Sequence, residues 1–117
     1  MIESIKAKYT ISSKSNVREA MKKLDDSHRK ILFVLNKDKS LLGSITDGDI
    51  RRWILNGEKL DETIAKVCNC EPITFAGDYN LDHVKSVMLE QRIQAIPIID
   101  SSNHVLDILF WDSIFDS

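Results

Sequence analysis

Ile31-Leu32-Phe33-Val34-Leu35 is an unbroken apolar run, and sixty-four residues further on Ala95-Ile96-Pro97-Ile98-Ile99 is another. Runs of this length read as strands buried on both faces. Sliding the whole chain against itself by the same offset keeps the surrounding positions in step without a gap. Thr10 falls on Thr74, Ile11 on Phe75, Asn16 on Asn80, Val17 on Leu81, Ala20 on Val84, Leu24 on Met88, Leu41-Leu42 on Val105-Leu106 and Ile50 on Ile114. Few identities survive, but the apolar pattern does, which marks an internal repeat.

Outward from the two runs, each copy reads alike. A short β-rich piece (Tyr9-Thr10-Ile11; Ile73-Thr74-Phe75) leads to Asn16 or Asn80, residues suited to cap a helix. Apolar residues then follow at helical spacing: Val17, Ala20, Met21 and Leu24 in the first copy, Leu81, Val84, Val87 and Met88 in the second. After the buried strand comes a polar turn, Asn36 to Lys39 or Asp100 to Asn103, and a second strand. A helix from about Asp47 to Leu55 closes the first copy before Asn56-Gly57. The expected fold is therefore α/β, of the α+β kind: β-α-β-β-α twice, sheet packed on sheet about a pseudo-twofold axis. The expected boundaries are 4–57 for the first repeat, 58–71 for a linker and 72–117 for the second, all within one unit of 1–117. Leu60, Ile64, Ala65 and Val67 predict a short amphipathic helix in the linker.

The 117 residues, 43% apolar and 29% charged, suffice for a hydrophobic core, whereas half that length would be marginal. A net charge of −2 gives no general attraction to nucleic acid or to an anionic membrane. There is no apolar run near the ~20 residues of a membrane span, and Met1-Ile2-Glu3-Ser4 lacks the layout of a signal peptide. The expectation is a cytoplasmic chain without nucleic-acid or membrane partners. Cys68 and Cys70 have no further cysteine pair or nearby histidine to complete a zinc site. They read as reduced thiols, with a two-ligand metal site as the alternative, and no metal is expected.

Chemistry concentrates at Gly43-Ser44-Ile45-Thr46-Asp47-Gly48-Asp49-Ile50-Arg51-Arg52, where a strand runs into a helix. Unpaired N–H groups and the positive helix end make such a junction receptive to anions. Thr46 brings a hydroxyl, Asp49 a carboxylate able to accept from a vicinal diol, and Arg51 and Arg52 cations within possible reach of phosphates. Two readings stand together here: a capping box between Thr46 and Asp49, or a ligand site. Likewise the arginines read as a solvated face or as phosphate ligands.

A strand-helix-strand-strand-helix unit present twice, with G-x-x-T-x-x-D closing the first copy, resembles a CBS domain pair, or Bateman module, from about Ser4 to Ile114. The string T-D-G-D-I-R-R, an N-G turn and a short linker to a Pro-Ile-Thr strand is similar to the pairs attached to bacterial sugar-phosphate nucleotidyltransferases, with a related version on arabinose-5-phosphate isomerases. The resemblance implies a regulatory module, a fragment of a longer enzyme, that binds an adenosine nucleotide (AMP, ADP or ATP). It implies a pocket made by Ser44, Thr46 and Asp49 with Ile73, Ile93, Gln94 and Ala95 of the second copy, the aspartate on the ribose. Ile73, Ile93 and Ala95 equally suit plain core. In the second copy Thr46 becomes Phe110 and Asp49 becomes Ser113, while Asp112, one place displaced, reads as a cap or solvent contact. The mirror-image site, lined by Tyr9, Arg29 and Lys30, thus lacks its anchor, and Phe110 or Trp111 is expected to fill it. One competent pocket is expected at most.

Signs of catalysis are few. His28, His83 and His104 share no spacing and have no nucleophile beside them, and neither a glycine-rich phosphate loop nor G-x-S-x-G nor H-E-x-x-H is present. The chain is not expected to be an enzyme itself. Trp53 and Ile54, with Trp111, Ile114 and Phe115, form apolar helix ends suited either to burial within one copy or to a homodimer, which CBS pairs commonly form. A ligand-free dimerisation or scaffolding module remains the alternative function.

Overall fold

The computed structural model describes residues 2–115, so Met1 and the terminal Asp116-Ser117 of the expected boundaries lie outside the described residues. The chain opens with helix α1 (Ile2–Tyr9). The first repeat follows as β1 (Thr10–Ser12), α2 (Val17–Ser27), β2 (Ile31–Leu35), β3 (Leu41–Thr46) and α3 (Asp47–Leu55). The second repeat follows as β4 (Phe75–Ala76), α4 (Leu81–Gln91), β5 (Ala95–Ile99), β6 (Val105–Phe110) and α5 (Trp111–Phe115). Each repeat builds a three-stranded sheet with the long apolar strand in the middle, parallel to the first strand and antiparallel to the third.

The sixty-four-residue offset holds at the level of register. Leu32 pairs with Ile45 and Ile96 with Leu109, and the ladder is interrupted between Val34 and Leu35 in one sheet and between Ile98 and Ile99 in the other. The sheets differ where chemistry differs. Thr10 pairs with Phe33 in β1, but the residue equivalent to Phe33 is Pro97, which has no N–H for a ladder, and β4 is shorter by the position that would be Thr74.

Alternation along β2 sorts the core. Leu32 and Val34 face the helices, joining Ile11, Val17, Ala20, Leu24, Ile45, Ile50 and Ile64 in a buried cluster. Phe33 faces the other sheet and packs with Tyr9, Leu41, Ala95, Val105, Ile108 and Phe110. Burying both faces explains why the strand reads as continuously apolar. A third cluster, Val84, Met88 and Ile96, seats α4 on its sheet. The turns lock the repeats together: Leu41 N–H donates to the Asn103 carbonyl (2.8 Å), Asn103 Nδ2 donates to the Leu41 carbonyl (2.8 Å), and His104 Nε2 lies 2.8 Å from the Asp38 carbonyl oxygen.

Two expectations need correction, the start of the first strand in each repeat and the linker helix. Tyr9 ends α1 instead of opening a strand, because its ring is buried between the sheets, and Ile73 and Thr74 precede β4. Helix α1 adds an element ahead of the expected β-α-β-β-α order. The amphipathic linker helix is a single 3-10 turn, Ile64–Lys66, pinned because the Ile64 side chain is fully buried and its N–H donates to the Ser15 carbonyl (2.8 Å). Of the two uses open to Trp53, packing within one copy is the one realised: its ring packs on the first core cluster and its Nε1–H donates to the Lys59 carbonyl (2.8 Å).

Candidate functional site

The junction of β3 and α3 lies against the start of the second repeat. Ser44 is buried in the middle of β3, and its N–H and carbonyl pair with Asn69 of the linker at 2.9 and 2.8 Å. Gly43 permits that approach, since a Cβ there would stand 2.1 Å from the Asn69 carbonyl oxygen. The linker is thereby drawn across the end of the first sheet, and Glu71, Pro72 and Ile73 become a wall of a cleft.

That cleft encloses about 530 Å³, within the size range of small-molecule pockets. Ser44, Thr46, Asp47 and Gly48 line it from the first repeat, and Ile73, Ile93, Gln94 and Ala95 from the second, with Phe33 and Ile31 at its floor. Lys30, Arg29 and Arg92 bring positive charge to it, Asp47 and Glu71 negative charge. Six of the seven residues expected from the sequence thus come together: Ser44, Thr46, Ile73, Ile93, Gln94 and Ala95.

Asp49 is the exception and does not line the cleft. It completes a capping box: Thr46 Oγ1 accepts from the Asp49 N–H (3.2 Å), and Asp49 Oδ2 accepts from the Thr46 N–H (2.9 Å). Its other oxygen accepts from Arg52 Nη2 at 2.7 Å. The capping reading of Thr46-x-x-Asp49 is therefore realised. A carboxylate has about four acceptor positions, so two bonds leave capacity for a diol. Thr46 uses its oxygen as an acceptor in the box, and its own O–H remains free to donate.

The mirror-image position is filled by side chains. Phe110, in the place of Thr46, meets Tyr9 edge to face at 4.8 Å between centroids. The Arg29 guanidinium lies 3.9 Å from the centroid of the Phe110 ring. Arg29 donates to Tyr9 Oη (3.1 Å) and to Asp112 Oδ1 (2.6 Å). Of the two aromatic candidates it is Phe110 that fills the site, while Trp111 stacks on Phe115. Asp112 is an ion-pair partner; the Arg29 hydrogen bond holds its carboxyl below the usual carboxylate range.

The thiols of Cys68 and Cys70 flank Asn69, with their sulfurs 4.0 Å apart. Burial, followed by the neighbouring Cys70, pushes the Cys68 thiol up to about 12. Asn69, Glu71 and Pro72 were missed as cleft residues because the linker reading looked for a helix. The signal that could have found them is Gly43, a glycine within a strand, which often marks close backbone approach.

The profile of the CBS domain family matches residues 2–56 and 64–116.

The chain belongs to the CBS domain family.

Among curated relatives of this CBS pair, it is 28% identical over 101 residues to an inosine-5'-monophosphate dehydrogenase of Nitrosopumilus maritimus, covering 86% of this chain and 20% of that protein. It is 25% identical over 88 residues to the arabinose 5-phosphate isomerase GutQ of Salmonella typhi, covering 75% and 27%. The chain thus spans about a quarter or less of the length of these relatives. Among solved structures, the CBS domain pair of MJ0100 in complex with 5'-methylthioadenosine and S-adenosyl-L-methionine superposes with a TM-score of 0.78 at 27% identity, over 91% of this chain and 83% of that one. CBSX2 in complex with AMP superposes at 0.83 with 17% identity, over 92% and 84%.

Proposed function

We propose that this CBS pair is a regulatory module that binds an adenosine nucleotide (AMP, ADP or ATP) in the cleft between Thr46 and Ile93. The observation that carries the reading is the contrast between the two pseudo-equivalent sites. The Thr46 side is an open cleft of about 530 Å³, whereas the Phe110 side is packed with Tyr9 and Arg29. Ile73, Ile93 and Phe33 offer apolar contact for a purine, the Thr46 hydroxyl suits a ribose, with Asp49 holding Thr46 from behind through the capping box, and Lys30 and Arg92 suit phosphate. The adenosine ligands of the MJ0100 and CBSX2 complexes support the same class.

A ligand touching both repeats changes their packing only to the extent that it favours one arrangement. Occupancy is then passed to a catalytic domain attached to or neighbouring the pair. The T-D-G-D-I-R-R string favours a sugar-phosphate nucleotidyltransferase as that domain, although the relatives described above are a dehydrogenase and an isomerase. A second copy of the chain is the proposed oligomeric partner, through Ile54 and Leu55 at the end of α3, which are 42% and 77% exposed. The cytoplasm is the proposed location; no described helix is long and apolar enough to cross a membrane.

The second reading, a ligand-free scaffolding module, is favoured by the capping box and the Arg52 ion pair, which together engage both Asp49 oxygens. Calorimetric titration with AMP, ADP, ATP and S-adenosylmethionine separates the two. Saturable heat with an adenosine ligand, weakened by Asp49→Ala, supports regulation. Silence with all four overturns the nucleotide reading, and a stable dimer by light scattering then supports the scaffold.

A further inference from the structure

A cavity larger than the cleft lies elsewhere. It encloses about 960 Å³ between the end of α1, the edge of β1, the flank of α2 and the β2–β3 turn. Six lysines line it, Lys8, Lys14, Lys22, Lys23, Lys37 and Lys39, against two carboxylates, Glu19 and Asp26. Glu19 is already engaged, accepting from the Asn16 N–H at 3.0 Å. Lys23 donates to the Ala7 carbonyl at 2.8 Å, and none of the six stands in an ion pair among the described residues.

The repeat supplies an internal control on whether the fold needs this charge. At the equivalent positions the second repeat carries Pro72, Asp78, Ser86, Val87, Ser101 and Asn103, with no basic residue among them. The same strand order and helix placement therefore form without the lysines. Guarding an exposed strand edge, another use of lysine, is no explanation either, because the matching edge at β4 has none.

We propose that this hollow is a second ligand site, distinct from the nucleotide cleft, for a small multiply charged anion of the polyphosphate class. Lysine ammonium groups act as mobile point charges suited to phosphate oxygens, and clustered like charges around a concavity concentrate counter-ions there. Ser12 and Ser15 add hydroxyls to the same wall. The concavity is of ligand-pocket size, and with a net charge of −2 over the whole chain the attraction is local, which favours a compact anion over a nucleic acid. The proposal stands independently of the nucleotide reading, because none of the six lysines lines the cleft.

The test is an amide-resolved NMR titration of the full chain with inorganic tripolyphosphate and, in separate arms, ATP and a hexaglutamate peptide, at low and at high salt. Tripolyphosphate is expected to shift Ser12, Lys14, Lys37 and Lys39 with an affinity that falls as salt rises. The triple variant Lys14→Gln, Lys22→Gln, Lys37→Gln is expected to weaken it about tenfold or more, with the melting temperature unchanged since all three side chains are exposed. If ATP shifts the same residues as well as the cleft, the site takes nucleotide-borne polyphosphate; shifts with tripolyphosphate alone assign it to the inorganic anion. Absence of shifts at these residues, an undiminished affinity in the triple variant, or hexaglutamate binding as tightly as tripolyphosphate overturns the proposal.

Discussion

Gly43 and Asn69 are in contact that excludes a side chain: a Cβ on the glycine would lie 2.1 Å from the Asn69 carbonyl oxygen and 3.2 Å from Cys70 Cα. The obstructing atoms are backbone, so relief requires the linker to move. Gly43→Ala is expected to cost about 1–3 kcal/mol, the range for overpacking, and to weaken ligand binding because Glu71, Pro72 and Ile73 shift with the linker. Urea unfolding together with nucleotide titration of the variant checks both effects.

Thr46→Ala removes the side chain that caps α3. A loss of about 1 kcal/mol is expected in chemical denaturation, with Thr46→Ser restoring most of it. If the hydroxyl also donates to ligand, the alanine variant loses affinity that the serine variant keeps.

Asp112 makes stability depend on acid. Its folded carboxyl titrates below the unfolded value of ~3.9 because Arg29 donates to it. The contribution is therefore complete above the unfolded value and is lost as pH falls through the lower folded one. Unfolding midpoints measured from neutral pH down to the acid limit are expected to decline less steeply for Asp112→Asn than for the wild type, the two curves converging at low pH.

Cys68 is held as a thiol, at about 12, while Cys70 is exposed. Alkylation of the folded chain at mildly alkaline pH is expected to modify Cys68 only in a slow phase, and unfolding in urea to abolish that phase. Mass spectrometry of the labelled peptides reads this directly.

The repeat was legible in the sequence because an apolar pattern kept across sixty-four residues also fixes which faces meet, whereas the matching ladder irregularities between Val34 and Leu35 and between Ile98 and Ile99 involve backbone register that side-chain pattern does not encode. Six cleft residues were legible only through the resemblance to CBS pairs that the repeat and the G-x-x-T-x-x-D string carried; the repeat by itself left Ile73, Ile93 and Ala95 equally suited to plain core. Helix α1 was illegible since it runs straight from Tyr9 into β1 at Thr10 with no turn residue between them, and its closing bond, from Thr10 Oγ1 to the Lys6 carbonyl at 2.6 Å, leaves no pattern in composition. Asp49 was ambiguous in the sequence because a capping box and a ribose ligand call for the same residue at the same spacing. The ion pair of Arg29 with Asp112 joins residues 83 apart, and the repeat alignment places Asp112 one position before the equivalent of Asp49, where it reads as a cap or solvent contact.

The central claim is that one of two pseudo-equivalent clefts binds an adenosine nucleotide and the other is filled by the chain itself. Calorimetric titration of the wild type with AMP beside Ile93→Arg tests it most directly, since Ile93 is the repeat equivalent of Arg29 and the substitution plants in the open cleft the side chain that helps fill the closed one. The account predicts one binding site per chain in the wild type and none in the variant, with the fold of the variant retained by circular dichroism. Two sites per chain, or binding that survives Ile93→Arg unchanged, would contradict it.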